Sequence, residues 1–272
     1  MTWASQNAEL IGSIRAYVRK FENQRPPLFQ YFGKGNKPCF NFPLQSEKGM
    51  KVLLIYSALN QDITEDELAE FVIKLYARHS DDLFFCNQIT FGSLKSSIEY
   101  FIPGGWILGQ KVPGILRSVG DFFLVHGDLG SLIQRLKSSE ELVKLLSREI
   151  FFMGKSSIMK FKARNFVWML ALAFTGKGIN IWNDSSLLPV SPGANRFMYF
   201  VGPLKSRKAI KLTGEEKIDY FNRFYRFLFP EESWKVNSAF NAFKRRMNSR
   251  LFECRSVLSG CGNCPLDKYC SK

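Results

Sequence analysis

The chain has 272 residues, 46% of them hydrophobic and 15% aromatic, which is enough for one large core or two lobes and is unlike a disordered segment. Its net charge of +14 is uneven: residues 1–150 hold 17 Lys and Arg against 16 Asp and Glu, and residues 151–272 hold 21 against 8, an asymmetry that solubility does not require and that a polyanion, above all nucleic acid, explains. No amino-terminal stretch has the layout of a signal peptide, and the longest apolar run, Phe166 to Phe174, falls short of the roughly twenty residues a membrane span needs, so the expectation is a soluble intracellular protein of the cytoplasm or nucleoid with no membrane partner.

In chain order, Leu10, Ile11, Ile14, Tyr17, Val18 and Phe21 recur at helical spacing and predict an amphipathic helix over residues 5–23, ended by Arg25 and the two prolines after it. From Leu28 to Leu44, aromatics alternate with Gly33, Gly35, Pro38 and Pro43, which reads as short strands or an irregular loop. A helix over Lys51 to Leu59 and another from Thr64, with Thr64 and Glu67 as a capping box, make a hairpin across Asn60, Gln61 and Asp62. Helices follow at Leu94 to Phe101, Ile115 to Val125, Leu129 to Leu136 and Glu140 to Phe152, the last capped by Ser138 with Glu141. His79 and His126 have no second ligand type at metal spacing and read as structural or surface residues.

Met153 to Lys160 then links two helices through Gly154, an arrangement that leaves backbone amides at a helix start, where a phosphate can bind. Lys155, Lys160, Lys162 and Arg164 read on their own as phosphate contacts on a basic face. Gly154-Lys155-Ser156 lacks the upstream glycine and the strand of a nucleotide-binding loop. A helix begins near Asn195 with Arg196 in its first turn, Thr213 and Glu216 cap another through Leu228, and a long one runs from Glu232 to Phe252 with Lys244, Arg245, Arg246 and Arg250. The periodicity throughout predicts a mostly α-helical protein.

The last nineteen residues carry Cys254, Cys261, Cys264 and Cys270 in the spacing C-x6-C-x2-C-x5-C, whereas only Cys39 and Cys86 precede them. Disulfides are one reading. The short gaps, broken by Gly260, Gly262 and Pro265, suit a loop wrapped round a metal or cluster better. Tetrathiolate sites hold zinc or an iron–sulfur cluster. Zinc sites usually pair two C-x2-C knuckles and only Cys261–Cys264 has that form, which favours [4Fe–4S] with zinc as the alternative.

Gap for gap, this spacing resembles the carboxyl-terminal iron–sulfur loop of the endonuclease III and MutY branch of the helix-hairpin-helix DNA glycosylases. The resemblance implies a two-lobed helical fold: residues 1–49 as an amino-terminal helix and irregular or β segment, 50–150 as one helical lobe, 151–175 as the hairpin, 176–253 as a basic helical lobe joined by the first helix, and 254–272 as the cluster loop, with the base pocket between the lobes. It implies a structural cluster, and DNA contacts from Arg255, Lys268 or Lys272. Asn60 or Gln61 resembles the polar residue that fills the gap left by an extruded base, an ordinary helix-helix turn being the competing reading. Only Gly154 matches the family's Gly-x-Gly turn. In that respect the segment is similar to archaeal 8-oxoguanine glycosylases, whose Schiff-base lysine corresponds to Lys160, and the likeness continues through Lys177 to Asn180 and Pro189-Val190. By that resemblance, Lys160 attacks the sugar of a damaged base in double-stranded DNA as a monomer's catalytic group, with burial and the neighbouring Lys162 and Arg164 keeping it neutral. The family's catalytic aspartate is replaced by Ser191. Either Asp184 substitutes, or catalysis is weak or differently arranged, or the protein is a non-catalytic reader of nucleic-acid structure.

Overall fold

The computed structural model describes residues 7–33, 39–154, 160–174, 189–204, 212, 214–230, 233, 235–243, 254 and 258–270. Among these residues the chain is mostly helical, with no β-strand and one isolated bridge between Phe32 and Phe40. Two compact units divide it, one of Met1–Arg25 with Leu188–Lys272 and the other of Pro26–Leu187. By sequence the first holds 20 Lys and Arg against 9 Asp and Glu, a net +11, and the second 18 against 15, a net +3.

Helix α1, Ala8–Arg19, belongs to the first unit and buries Leu10, Ile11, Ile14, Tyr17 and Val18 along one stripe. The second unit opens with a 3₁₀ turn, Pro27–Tyr31, where strands or an irregular loop are predicted. Phe32, Phe40 and Phe42 then gather on Tyr76, with ring centroids 4.6 to 6.1 Å apart, so this segment is held by aromatic packing.

The Ser46 hydroxyl accepts from the Gly49 amide and starts α2, Glu47–Leu59, one turn earlier than its apolar pattern announces. Every residue from Val52 to Leu59 is buried, and α2 packs against its neighbours on several sides as the unit's central helix. Around it lie α3, Glu65–His79, with the Thr64–Glu67 capping box in place; α4, Phe91–Glu99; and α5, Val112–His126. Short α6, Leu129–Arg135, is capped by Asp128, and the Glu47 carboxylate accepts from the Leu129 and Gly130 amides at 2.9 and 3.2 Å. Ser138 caps α7, Ser139–Glu149, which packs on α8, Phe161–Phe174. Helix α7 stops three residues before Phe152 because Ile150 is extended and Phe152 is left-handed.

In the first unit, Ser191 caps α9, Pro192–Phe200, and α10, Gly214–Leu228, and α11, Lys235–Asn241, follow. Helix α11 packs on both α9 and α1. Gly193 permits the first approach, since a Cβ there would stand 2.3 Å from the Asn241 carbonyl oxygen. Of the helix predicted over 232–252, the described residues show Lys235–Asn241, and the Cys254 amide donates to the Ala242 carbonyl at 2.8 Å. No helix among the described residues is long and apolar enough to cross a membrane.

Candidate metal centre and lysine turn

The return of the chain at Ala242 brings Cys254 beside Tyr17 of α1. The buried Tyr17 hydroxyl donates to the Ala239 carbonyl at 2.9 Å. Its pKa is pushed well above the ordinary value by burial first and then by the charges of Cys254, Cys264 and Cys270. Burial, again followed by the neighbouring Cys264, pushes the Cys254 thiol up to about 11, while the Tyr17 hydroxyl partly relieves it and Cys270 and Cys261 add to the rise. Cys261, Cys264 and Cys270 therefore each lie within electrostatic reach of Cys254 in the first unit. None of the six cysteines forms a disulfide.

The loop itself is built from tight turns around Leu266, which is fully buried. The Cys264 amide donates to the Cys261 carbonyl at 2.9 Å, Asp267 to Cys264 at 3.0 Å, and Cys270 to Leu266 at 2.9 Å. Ser259 and Gly260 are both left-handed and turn the chain from Cys254 toward Cys261. Four half-buried sulfur donors suit a tetrathiolate ion or cluster. Among the described residues, no three His, Cys, Asp or Glu side chains stand at the spacing that holds a metal ion, so the thiols are collected but not closed into a coordination sphere. Lys268, predicted to meet DNA, is exposed, pairs with Glu9 of α1 and lies 4.9 Å from the Tyr269 ring centroid.

The second cluster lies in the other unit. Gly154 has φ +106 and backs onto Lys160, whose Cα would be 3.1 Å from a Cβ at Gly154, so the glycine closes the loop between them. Lys160 has φ +41, a conformation that costs a residue with a Cβ on the order of 1–2 kcal/mol. Its carbonyl accepts from the Arg164 amide at 3.0 Å, so this strained residue sits at the mouth of α8, half-buried.

Lys162 and Arg164, read from sequence as phosphate contacts, are buried at 6% and 5% exposure. Lys162 donates to the Ala58 carbonyl at the end of α2 at 2.8 Å, and its own carbonyl accepts from the Ser57 hydroxyl at 2.6 Å. Burial pulls its ammonium down to about 8, partly opposed by Asp62. Arg164 reaches a Glu140 carboxylate oxygen at 3.5 Å. Both charges therefore tie α8 to its neighbours in the interior.

At the α2–α3 turn, the Trp106 indole donates to the Gln61 carbonyl at 2.7 Å, pinning a backbone on which the Gln61 side chain stays exposed and bonds Asp62 at 3.2 Å. Asn60 closes α2 and is half-buried. Ser191, where the resemblance leads one to expect an aspartate, is 2% exposed and caps α9 by accepting from the Ala194 amide at 3.0 Å; Arg196 is half-buried in that helix. Lys155, Asp184, Arg255 and Lys272, with Lys177 to Asn180, Thr213, the run from Lys244 to Arg246, and Arg250, lie outside the described residues. Tyr17 was legible only as one member of an apolar stripe, and nothing in its spacing marks it as a neighbour of the thiols. Comparisons with protein-family models, with curated proteins and with solved structures find no match.

Proposed function

We propose that the chain is a DNA repair glycosylase that removes a damaged or modified base and then nicks the abasic strand through a lysine imine. The observation that supports it most is that Cys261, Cys264 and Cys270 lie within electrostatic reach of Cys254 beside Tyr17, in a spacing that resembles the glycosylase iron–sulfur loop and in the unit with a net +11. Those four cysteines would hold the group, a [4Fe–4S] cluster or in the alternative zinc, which when bound supplies a rigid tie across the end of the chain. Lys160, in its left-handed turn against Gly154, would be the nucleophile.

In that reaction the Lys160 nitrogen attacks C1′ of the target sugar through its lone pair, the C1′–N bond breaks, and the base leaves with the bonding pair and takes up a proton. The nitrogen loses a proton to a base, its lone pair expels O4′, and the C1′–O4′ bond breaks as the protonated C1′=N imine forms and O4′ takes up a proton. The resemblance expects an aspartate at Ser191 for the proton transfer, and Asp184 would be its substitute. β-Elimination then breaks the 3′ carbon–oxygen bond. Borohydride reduces the imine to a stable amine, so a panel of duplexes carrying different modified bases should yield a covalent adduct with at least one. Lys160→Ala should abolish it and leave binding in place, while Lys162→Met should retain it. No adduct on any duplex would end the lyase reading.

Ser191 favours a second reading. Its hydroxyl is buried and committed to capping α9, and it brings no carboxylate to offset positive charge on a sugar. A non-catalytic iron–sulfur protein that reads DNA structure would use the same cationic unit. Release of a base in a single turnover would dispose of it.

A further inference from the structure

Between α7 and α8 the chain exposes two phenylalanines that its own backbone holds out. Ile150 and Met153 are buried at 2% and 0% exposure, whereas Phe151 and Phe152 between them are 50% and 38% exposed. The turn is fixed from several sides. The Met153 amide donates to the Ile150 carbonyl at 3.2 Å, and the Phe151 amide to the Ser118 hydroxyl at 3.0 Å. The Phe151 ring packs over Gly114 of α5, 3.7 Å from where a Cβ would stand. The two rings meet edge to face with centroids 4.5 Å apart.

Phe152 has φ +66, a region that disfavours any side chain and bulky ones most. Adjacent phenylalanines ordinarily serve a core, yet here the fold tolerates backbone strain to keep them at the surface, and strain of this kind gathers at functional sites. The buried Lys162 ammonium lies 5.8 Å from the Phe152 ring centroid and steadies that ring. Two residues beyond Phe152, Gly154 meets Lys160, and the sequence from Phe151 to Lys160 contains Lys155 and Lys160 with no Asp or Glu. Aromatic faces set beside Lys160 and the Lys162 ammonium match a ligand that is flat, aromatic and anionic along its backbone.

We propose that Phe151 and Phe152 form a stacking platform for unpaired nucleobases beside the lysine turn. It rests on the nucleic-acid part of the reading above, and requires neither the lyase step nor the metal. Bases stack on aromatic side chains with little regard for sequence, and the phosphates between them meet Lys160.

The test is fluorescence anisotropy with three labelled DNAs of related sequence: a single strand, a duplex with a three-nucleotide bulge, and a fully paired duplex. The wild-type chain should favour the first two. Replacing both rings, as Phe151→Ala with Phe152→Ala or as the double Leu variant, should weaken binding to unpaired bases by about tenfold or more and flatten the preference. The double Tyr variant should keep it within about twofold. A preference unchanged in the Ala variant, or held equally by Leu, would overturn the platform and leave a merely apolar contact, such as a protein interface. Wild-type binding to paired duplex with no preference for unpaired bases would also overturn it while sparing the DNA reading. Failure to bind any of the three DNAs would overturn both. Circular dichroism establishes that each variant folds; should the Ala variant not fold, Phe152→Gly, which suits the turn's backbone, carries the same test.

Discussion

Lys162 ties the end of α2 to the start of α8 through a buried ammonium, so its proton is coupled to folding. The group titrates at about 8 in the fold against an ordinary value of 10.5. Between those values the unfolded chain holds a proton that the folded chain has released, and raising the pH therefore favours the folded state. The gain is full above about 10.5 and gone below about 8, and amounts to on the order of 3 kcal/mol. Urea unfolding of the wild type and of Lys162→Met at pH 7 and pH 10 should show the difference between them moving in favour of the wild type by an amount of that order. A pH-independent difference would mean the amine is not held as buried as its contacts indicate. Phe152 gives a second single-residue expectation. Glycine adopts φ +66 at no steric cost, and the ring it replaces is 38% exposed, so Phe152→Gly should leave the unfolding free energy unchanged or raise it by up to about 1 kcal/mol. A loss above about 2 kcal/mol would show that the ring contributes to packing, contrary to its exposure.

Helix-to-helix contacts set the next scale, and the closest lies at the junction of α9 and α11. A Cβ on Gly193 would fall 2.3 Å from the Asn241 carbonyl oxygen and 2.7 Å from that of Phe240, both backbone atoms that cannot rotate away. Gly193→Ala should thus cost about 1–3 kcal/mol, read as a lowered thermal midpoint, whereas Gly12→Ala on α1, with nothing within 4 Å, should be neutral or stabilising. This junction also marks where the sequence stops being informative. Element starts were legible where Ser or Thr is followed three residues on by Glu: Thr64 with Glu67 and Ser138 with Glu141 fix α3 and α7, whereas Ser46, with Gly49 in that place, was missed at the start of α2. Helix periodicity likewise announced α1 through its buried stripe. What local pattern misses are contacts distant in sequence. The helical pattern does not announce the bond from Cys254 to Ala242, and Lys162 and Arg164 read as surface cations because Ala58, Ser57 and Glu140 reach them from other helices. For the same reason the grouping of four cysteines was plain from spacing, while the approach of Tyr17, more than two hundred residues away, was not.

Across the whole chain, charge and thiols fall in the same unit, and the two together make a prediction that neither makes alone. Burial first, and then repulsion by the neighbouring Cys264, Cys270 and Cys261, pushes the Cys254 thiol up to about 11. A bound cationic centre reverses that repulsion, so metal binding should release protons and stabilise the fold. The protein purified anaerobically should carry iron and sulfide, or zinc on the alternative, and stripping it with a chelator should lower the thermal midpoint by several degrees. Cys264→Ser should reproduce the loss without chelator. If the tie holds the cationic loop in place, the stripped protein should also lose DNA affinity. The signature is the salt dependence: a unit with a net +11 that neutralises about six phosphates gives a slope near −5 in a plot of log affinity against log salt. Loss of the metal should make that slope shallower, because fewer lysines and arginines would reach the backbone at once. An affinity that falls while the slope stays constant would separate the metal from the DNA-facing charge, and purified protein with neither iron nor zinc would leave the thiols without a ligand to explain their grouping.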